Sequence, residues 1–135
     1  MVTGVKRSLG IQHSSQSLIR ADRAVRCAPF RLRFYETIVK QSLPAKAIAG
    51  SAGIRGGFTR RAIVELQVET ELLWLIRVGL LRREVDGQGL TDSFRITPLG
   101  RQLLANWHNV GETALRATWR DRLYNACSRW LSWPL

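Results

Sequence analysis

The chain has 135 residues, which is enough for one modest hydrophobic core and too short for two independent domains. Hydrophobic residues make up 45% of it, yet no run approaches the roughly 18 uninterrupted apolar residues of a membrane span, and no apolar segment near the start fits a secretory signal. The formal net charge is +11, with seven Lys and Arg residues against one acid among the first 35 residues. We therefore predict a soluble, cytoplasmic protein whose basic front favours polyanions such as nucleic acid.

Metal binding and catalysis find little support in the sequence. Cys27 and Cys127 lie far apart, without the spacing of a zinc site or a disulfide framework. His13 and His108 have no carboxylate or cysteine partner at ligand spacing, and no nucleophile motif occurs. We predict no metal, no cofactor and no enzymatic activity.

The first 20 residues contain three basic residues, several serines and no acid, which predicts a flexible basic arm. Such an arm could follow a nucleic-acid backbone, and its composition is also that of an organellar transit peptide. A helical pattern begins at residue 21 and is interrupted by Pro29, so we predict a short leading helix and a main helix over 29–41. Arg31 and Arg33 fall on its solvent or ligand face.

A second short helix is predicted over 45–52, ending at Gly53. Its segment Ile48-Ala49-Gly50-Ser51-Ala52-Gly53-Ile54 resembles the first helix and turn of a helix-turn-helix. In that motif a small Ala permits close packing and a Gly allows the bend.

The next helix is predicted to run from residue 59 to residue 78, with the Thr59 hydroxyl as its cap. Its predicted core face holds Ala62, Ile63, Leu66 and Leu73, and its outward face holds Arg60, Val64, Gln67 and Glu71, with Arg61 on the flank. Outward Arg and Gln near a helix start are the residue types that read guanine and adenine edges in the major groove, and a solvated face is the alternative. The candidate base-contacting residues are Thr59, Arg60, Arg61 and Gln67. The five consecutive apolar residues over 72–76 predict that this half of the helix is enclosed on nearly all sides.

Residues 81–96 are predicted to form two strands joined by a turn. Apolar Leu81, Val85, Phe94 and Ile96 alternate with charged neighbours around Asp86-Gly87, a dipeptide that supplies positive backbone dihedrals for a tight hairpin turn. The hairpin arginines Arg82, Arg83 and Arg95 join Arg31 and Arg33 as candidate phosphate contacts. Three acids in the hairpin offset much of their charge.

Thr97 and Pro98 predict a helix that ends near Trp107, because Thr caps free amides and Pro suits the first helical turn. The order of helix, Gly79-Leu80-Leu81, two-stranded ribbon and Thr97-Pro98-Leu99-Gly100 resembles the wing segment of winged helix-turn-helix domains of the MarR and PadR families. This resemblance implies DNA binding in most cases and protein interaction in others. The spacing between residues 48 and 79 is about nine residues longer than in those families, or some two and a half helical turns. The recognition helix is therefore unusually long, or an extra short helix precedes it.

A second resemblance covers residues 21–107, and above all the run 79–95. This run is similar to an uncharacterised protein family of cyanobacteria that carries no assigned activity. It lends no mechanism, and it favours a bacterial cytosol over an organelle.

A last, basic amphipathic helix is predicted over 112–131. Three alternatives remain open for it: it packs back over 72–76, it forms a homodimer seam, or it lies on an anionic membrane, which is the least favoured of the three. The terminal helices of MarR-like and PadR-like regulators build dimers, and that resemblance implies a possible homodimer here. The candidate interface residues are Leu115, Trp119, Leu123 and Trp130.

The predicted fold is mostly α with a small β-hairpin, a winged helix-turn-helix with an added C-terminal amphipathic helix. The arm covers residues 1–20, the winged-helix domain 21–110 and the C-terminal helix 111–135. The favoured function is binding of double-stranded DNA by a non-enzymatic transcriptional regulator. The alternative is a winged-helix adaptor that binds protein through the long central helix and the Trp-rich C-terminal helix.

Overall fold

A computed structural model describes residues 15–107 and 119–131 of the chain. Within these ranges it contains seven helices and one three-stranded antiparallel sheet, so the fold is helix-rich with a small sheet, as predicted. In chain order the elements are α1 (Ser15–Cys27), α2 (Leu32–Lys40), β1 (Leu43–Pro44), α3 (Ala45–Ile48), α4 (Gly50–Arg55), α5 (Glu65–Arg77), β2 (Leu81–Asp86), β3 (Gly89–Ile96), α6 (Pro98–Trp107) and α7 (Trp119–Leu131).

The two N-terminal helices are separated at Pro29, as the sequence predicts, because a proline ring cannot continue a helix. Helix α1 begins at Ser15, six residues before the predicted start at residue 21. Ser15 to Arg20 is therefore helical, and the remainder of the predicted arm, residues 1–14, lies outside the described residues.

The sheet is ordered β1-β3-β2, with β3 in the middle. The predicted hairpin is confirmed: Leu81 pairs with Ile96 and Asp86 with Gly89. The positive φ of its turn lies at Gly89, at 116°, and not at Asp86-Gly87. The two-residue strand β1 has no clear signal in the sequence, because its Pro44 suits only an edge strand.

Thr97 caps helix α6, as predicted. Its Oγ1 accepts a hydrogen bond from the Gly100 amide at 3.1 Å and lies 2.9 Å from the Leu80 carbonyl oxygen. The Thr97 amide also donates to that carbonyl, at 3.0 Å. One side chain therefore joins the start of α6 to the segment that follows α5.

We expect Thr97→Val to lower the free energy of unfolding by about 1–2 kcal/mol, because valine keeps the shape and removes the cap. Thr97→Ser, which retains the hydroxyl, is the control and should cost less. Urea denaturation measures both variants, and equal losses would show that the methyl group matters and the cap does not.

The region between β1 and α5 differs most from the sequence prediction. The single helix expected over 45–52 is two short helices, because Ala49 is extended and Gly50 has a φ of +60°. The left-handed conformation at Gly50 favours glycine. Of the two explanations for the long spacing before the hairpin, the extra short helix is the one observed.

Helix α5 begins at Glu65, six residues later than predicted, and residues 59–64 are not helical. The predicted cap at Thr59 is therefore wrong. The predicted core face is wrong in part: Ile63 is buried as predicted, whereas Leu66 is 74% exposed and Leu73 is 44% exposed. The buried residues of α5 are Val68, Leu72, Trp74 and Leu75.

An aromatic cluster forms the centre of the core. The Phe34 ring lies 4.6 Å from the Phe30 ring and 4.9 Å from the Tyr35 ring, and the Tyr35 ring lies 5.6 Å from that of Trp107. The Trp107 indole also donates to Asp22 Oδ1 at 3.0 Å. Helices α1, α2 and α6 are thereby packed around shared rings.

Helix α7 packs back on the domain, against α1 and α5. Its described part starts at Trp119, and the predicted residues 112–118, including Leu115, lie outside the described residues. Trp119 is 71% exposed and Leu123 is 53% exposed, so these two candidate interface residues do not face the core. Among the described helices, none is both long and apolar enough to cross a lipid bilayer.

Candidate nucleic-acid interface

Five arginines from three segments meet around the connection between α4 and α5. The Arg31 amide donates to the Phe58 carbonyl at 2.8 Å, and Arg33 Nε donates to the Gly56 carbonyl at 2.9 Å. These two bonds bring the start of α2 to the connection. We call the group the arginine cluster: Arg31, Arg33, Arg55, Arg60 and Arg61.

Most of the arginine cluster faces solvent. Arg33, Arg55, Arg60 and Arg61 are exposed, and Arg31 is half-buried. Arg55 donates to the Ser51 hydroxyl at 2.9 Å, a neutral partner that leaves its charge uncompensated. Within the part of the chain that the structure describes, the four exposed arginines carry no ion pair. The cluster is therefore a local concentration of positive charge.

Helix α4 supports the loop between α4 and α5, around which the arginine cluster lies. The Gly53 carbonyl accepts hydrogen bonds from the Phe58 amide at 2.8 Å and the Thr59 amide at 3.3 Å. Thr59 is 1% exposed and its hydroxyl oxygen has no hydrogen-bond partner. A side chain in this position supports the loop and cannot reach the edge of a DNA base. Thr59 is therefore not among the base contacts that we propose.

The exposed surface of α5 is less suited to nucleic acid than the sequence prediction assumes. Gln67 is exposed, as predicted. Its neighbours on the surface are Val64, 69% exposed, and Leu66, 74% exposed, with Glu65 between them. Apolar and acidic side chains do not bind phosphates.

Two of the three hairpin arginines already interact with other side chains of the protein. Arg95 Nη1 lies 2.8 Å from a carboxylate oxygen of Glu84. The Arg83 guanidinium lies 4.8 Å over the Phe94 ring. Arg82 is exposed, and it is the hairpin arginine with the most accessible charge.

Arg55 is a member of the cluster that the sequence prediction missed. Arg55 is the last residue of α4, whereas the sequence pattern ends this helix at Gly53. The two glycines after Arg55 signal a turn, but they do not show that this turn folds back on α2. The contact between Arg33 and Gly56 is a tertiary one and leaves no local pattern.

The remaining reactive groups lie apart from the cluster. Burial raises the pKa of the Cys27 thiol, and burial also raises the pKa of the Tyr35 hydroxyl well above its ordinary value. Cys127 is exposed on α7. Among the described residues, no three His, Cys, Asp or Glu side chains form a group that could hold a metal ion.

The model of the Npun_F0494-like family matches residues 11–129 of the chain. The chain belongs to the Npun_F0494-like family. The matched range includes every helix and strand described above, apart from the last two residues of α7. No curated protein and no solved structure matched the chain. What this family member binds must therefore be argued from its own residues.

Proposed function

We propose that this protein is a winged-helix DNA-binding protein that holds the phosphate backbone with its arginine cluster. The observation that carries the proposal is the cluster itself, in which four exposed arginines that pair with no acid among the described residues lie around one loop. Duplex DNA carries a dense row of negative charge, and arginines that neutralise it release counterions. A site of this charge fits that ligand.

The order of the elements supports the winged-helix part of the proposal. Helix α2, strand β1, the helices α3 to α5 and the hairpin follow the order of a winged-helix domain, with one short helix more before the hairpin. The pairing of β1 with β3 also belongs to that arrangement. The wing segment resembles that of MarR and PadR regulators, and on that resemblance we propose a role in transcription regulation.

The residue roles follow from exposure. We propose Arg60, Arg61 and Gln67 on the base side, since all three are exposed at or near the start of α5. Arg31, Arg33, Arg55 and Arg82 would contact phosphates. Arg83 and Arg95 contribute less, because Phe94 and Glu84 already hold them.

Fluorescence anisotropy with a labelled duplex of random sequence tests the proposal. With about four phosphate contacts, we expect affinity to fall by about 600-fold between about 50 mM and 300 mM salt. Arg60→Ala/Arg61→Ala should weaken binding at least about tenfold, because the two exposed guanidinium groups nearest the bases are lost.

Arg120→Ala/Arg122→Ala is the matched control, since it removes two exposed arginines from α7 and leaves the cluster intact. We expect this control to bind DNA within about twofold of the parent. Absence of binding by the parent at low salt would overturn the proposal. An unchanged affinity in a folded Arg60→Ala/Arg61→Ala variant would remove those two residues from the site.

A protein-binding adaptor is the second candidate, and the apolar surface of α5 favours it. Val64 and Leu66 are mostly exposed where a DNA-reading helix would carry polar side chains. Leu66→Lys separates the two functions. If α5 lies against DNA, the added charge should strengthen DNA binding several-fold, whereas unchanged binding would leave α5 free for a protein partner.

A further inference from the structure

Helix α7 is attached to the domain through its polar side. Asp121 accepts a hydrogen bond from Arg26 of α1, and Asn125 Oδ1 accepts one from the Trp74 indole at 3.0 Å. Arg129 pairs with Glu71 of α5 at 3.2 Å. These three residues of α7 recur every four positions, so they lie on one side of the helix.

The apolar stripe of α7 consequently points outward. A residue two positions away is turned by about 200°, so the residues two positions before and after Asp121 face away from the domain. These residues are Trp119, 71% exposed, and Leu123, 53% exposed. Cys127, one turn further on, is exposed as well.

Helices α1 and α7 each carry one acid among their described residues, and both acids pair with the same arginine. Asp22 is the acid of α1 and Asp121 is the acid of α7, and Arg26 binds both of them. The flanks of the apolar stripe carry the exposed Arg120 and Arg122. Within the described residues of these two helices, the solvent side therefore presents apolar and basic groups, and the more exposed of the two acids is Asp22, whose side chain is 33% exposed and bound to Arg26.

The outward surface continues from α7 onto α1. The Arg23 guanidinium lies 5.0 Å over the ring of Tyr124, which is 57% exposed, and this contact joins the two helices. Ile19 of α1 is 55% exposed, and the neighbouring Arg20 is exposed. We call this surface the outer face: Ile19, Arg20, Trp119, Arg120, Arg122, Leu123 and Cys127.

We propose that the outer face binds the surface of a membrane that contains anionic lipids, with α7 lying in the plane of the interface. Trp and Leu would enter the headgroup and acyl boundary, and the flanking arginines would meet phosphate headgroups. A second copy of the chain fits less well, because it would bring Arg120 and Arg122 of two molecules together. Each molecule already carries a net charge of +11.

Helix α7 packs back on the domain beside Trp74, the arrangement that the sequence favours, but with the opposite side inward. As a sequence, the amphipathic pattern is best explained by packing its apolar side on the core. The structure uses the polar side for that packing, through Asp121, Asn125 and Arg129. The apolar side is left for another partner. This proposal does not rest on DNA binding, which uses different arginines.

Flotation of the full chain with lipid vesicles tests it. We expect binding to phosphatidylcholine vesicles that contain about 30% phosphatidylglycerol, and at least about tenfold weaker binding to phosphatidylcholine alone. Trp119→Ser/Leu123→Ser should weaken binding to the anionic vesicles about tenfold. Both side chains are exposed, so the variant keeps the fold, which its circular dichroism and melting temperature check.

Two matched variants isolate the outer face. Val64→Ser/Leu66→Ser removes exposed apolar side chains from α5, and Arg60→Ala/Arg61→Ala removes two positive charges from the arginine cluster. We expect both to bind anionic vesicles within about twofold of the parent, whereas Arg120→Ala/Arg122→Ala loses most of its binding. The two proposals can therefore fail separately. Arg60 and Arg61 should matter for DNA binding and not for vesicle binding, and Arg120 and Arg122 should matter for vesicle binding and not for DNA binding.

Cys127 reports directly on the outer face, because it lies in the apolar stripe. Its alkylation by a maleimide should slow at least about fivefold with anionic vesicles, while the half-buried Cys27 reacts slowly in both states. Absence of vesicle binding, or an unchanged rate at Cys127, would overturn the proposal. A stable dimer by light scattering that Trp119→Ser/Leu123→Ser dissociates, without vesicle binding by the parent, would assign the outer face to a second copy.

Discussion

Replacing Phe94 by alanine is expected to lower the free energy of unfolding by about 3–5 kcal/mol, because it opens a cavity that its neighbours cannot fill. Phe94 is 1% exposed and lies in the middle strand, paired with Leu43 on one side and Arg83 on the other. Its ring is covered by the Arg83 guanidinium. Denaturation by urea gives the free energy, and a small domain has only about 5–15 kcal/mol to lose.

Val85→Ala is the matched control for Phe94→Ala. Both residues belong to the apolar alternation of the hairpin, yet Val85 is 56% exposed near its tip. We expect this control to cost less than about 0.5 kcal/mol. Similar losses for the two variants would contradict the view that β3 is fixed in the core at Phe94.

Replacing Gly53 by alanine is expected to cost about 3 kcal/mol or more, although alanine ordinarily stabilises a helix. A Cβ at Gly53 would lie 1.9 Å from the Ile48 carbonyl oxygen and 2.8 Å from Thr59 Oγ1. The first of these atoms belongs to the backbone of α3 and cannot rotate away. Helices α3 and α4 would have to separate.

Gly87→Ala is the control for this second substitution. A Cβ at Gly87 would meet no atom within 4 Å, and the φ of Gly87 is not positive. We expect a change below about 0.5 kcal/mol. Because Gly53 also holds the loop of the arginine cluster through its carbonyl, the Gly53→Ala variant should lose DNA binding together with stability. An unchanged melting temperature would contradict the close approach of α3 and α4.

Where the signals are local, the sequence predicts the structure well. The break at Pro29 and the cap at Thr97 are where the pattern places them, and the hairpin turn lies one residue later than predicted, at Gly87-Gln88. Each depends on the conformational preference of one or two residues, which tertiary contacts reinforce. The half of the hairpin near the core also follows the predicted alternation, at Leu81, Phe94 and Ile96.

The sequence prediction fails where more than one helix start and more than one buried face fit the apolar pattern. Residues 59–78 contain apolar side chains at helical spacing throughout, so the start of α5 and its buried face are not determined by the pattern. The choice is made by tertiary contacts, since Thr59 is buried under the loop and its amide bonds to Gly53. That choice turns Leu66 outward and makes Val68 the first buried residue of the helix.

The arginine cluster is likewise predictable from the sequence only in part. Composition predicts a basic protein, and the sequence pattern places Arg31, Arg33, Arg60 and Arg61 on exposed surfaces. That these arginines meet Arg55 around one loop depends on the bond from Arg33 to the Gly56 carbonyl, which joins residues 23 positions apart. No local pattern contains such a contact.

The sequence by itself determined the charge of this protein, its mostly helical content, its hairpin and the caps and breaks of its helices, because these follow from residue types and short spacings. The tertiary structure alone decided the face on which α5 is buried and the side on which α7 is attached. Helix α5 carries apolar residues on more than one side, so more than one face could have been buried. In α7 either the apolar or the polar stripe could have faced inward, and the bonds from Arg26 and Trp74 decided that the polar stripe does.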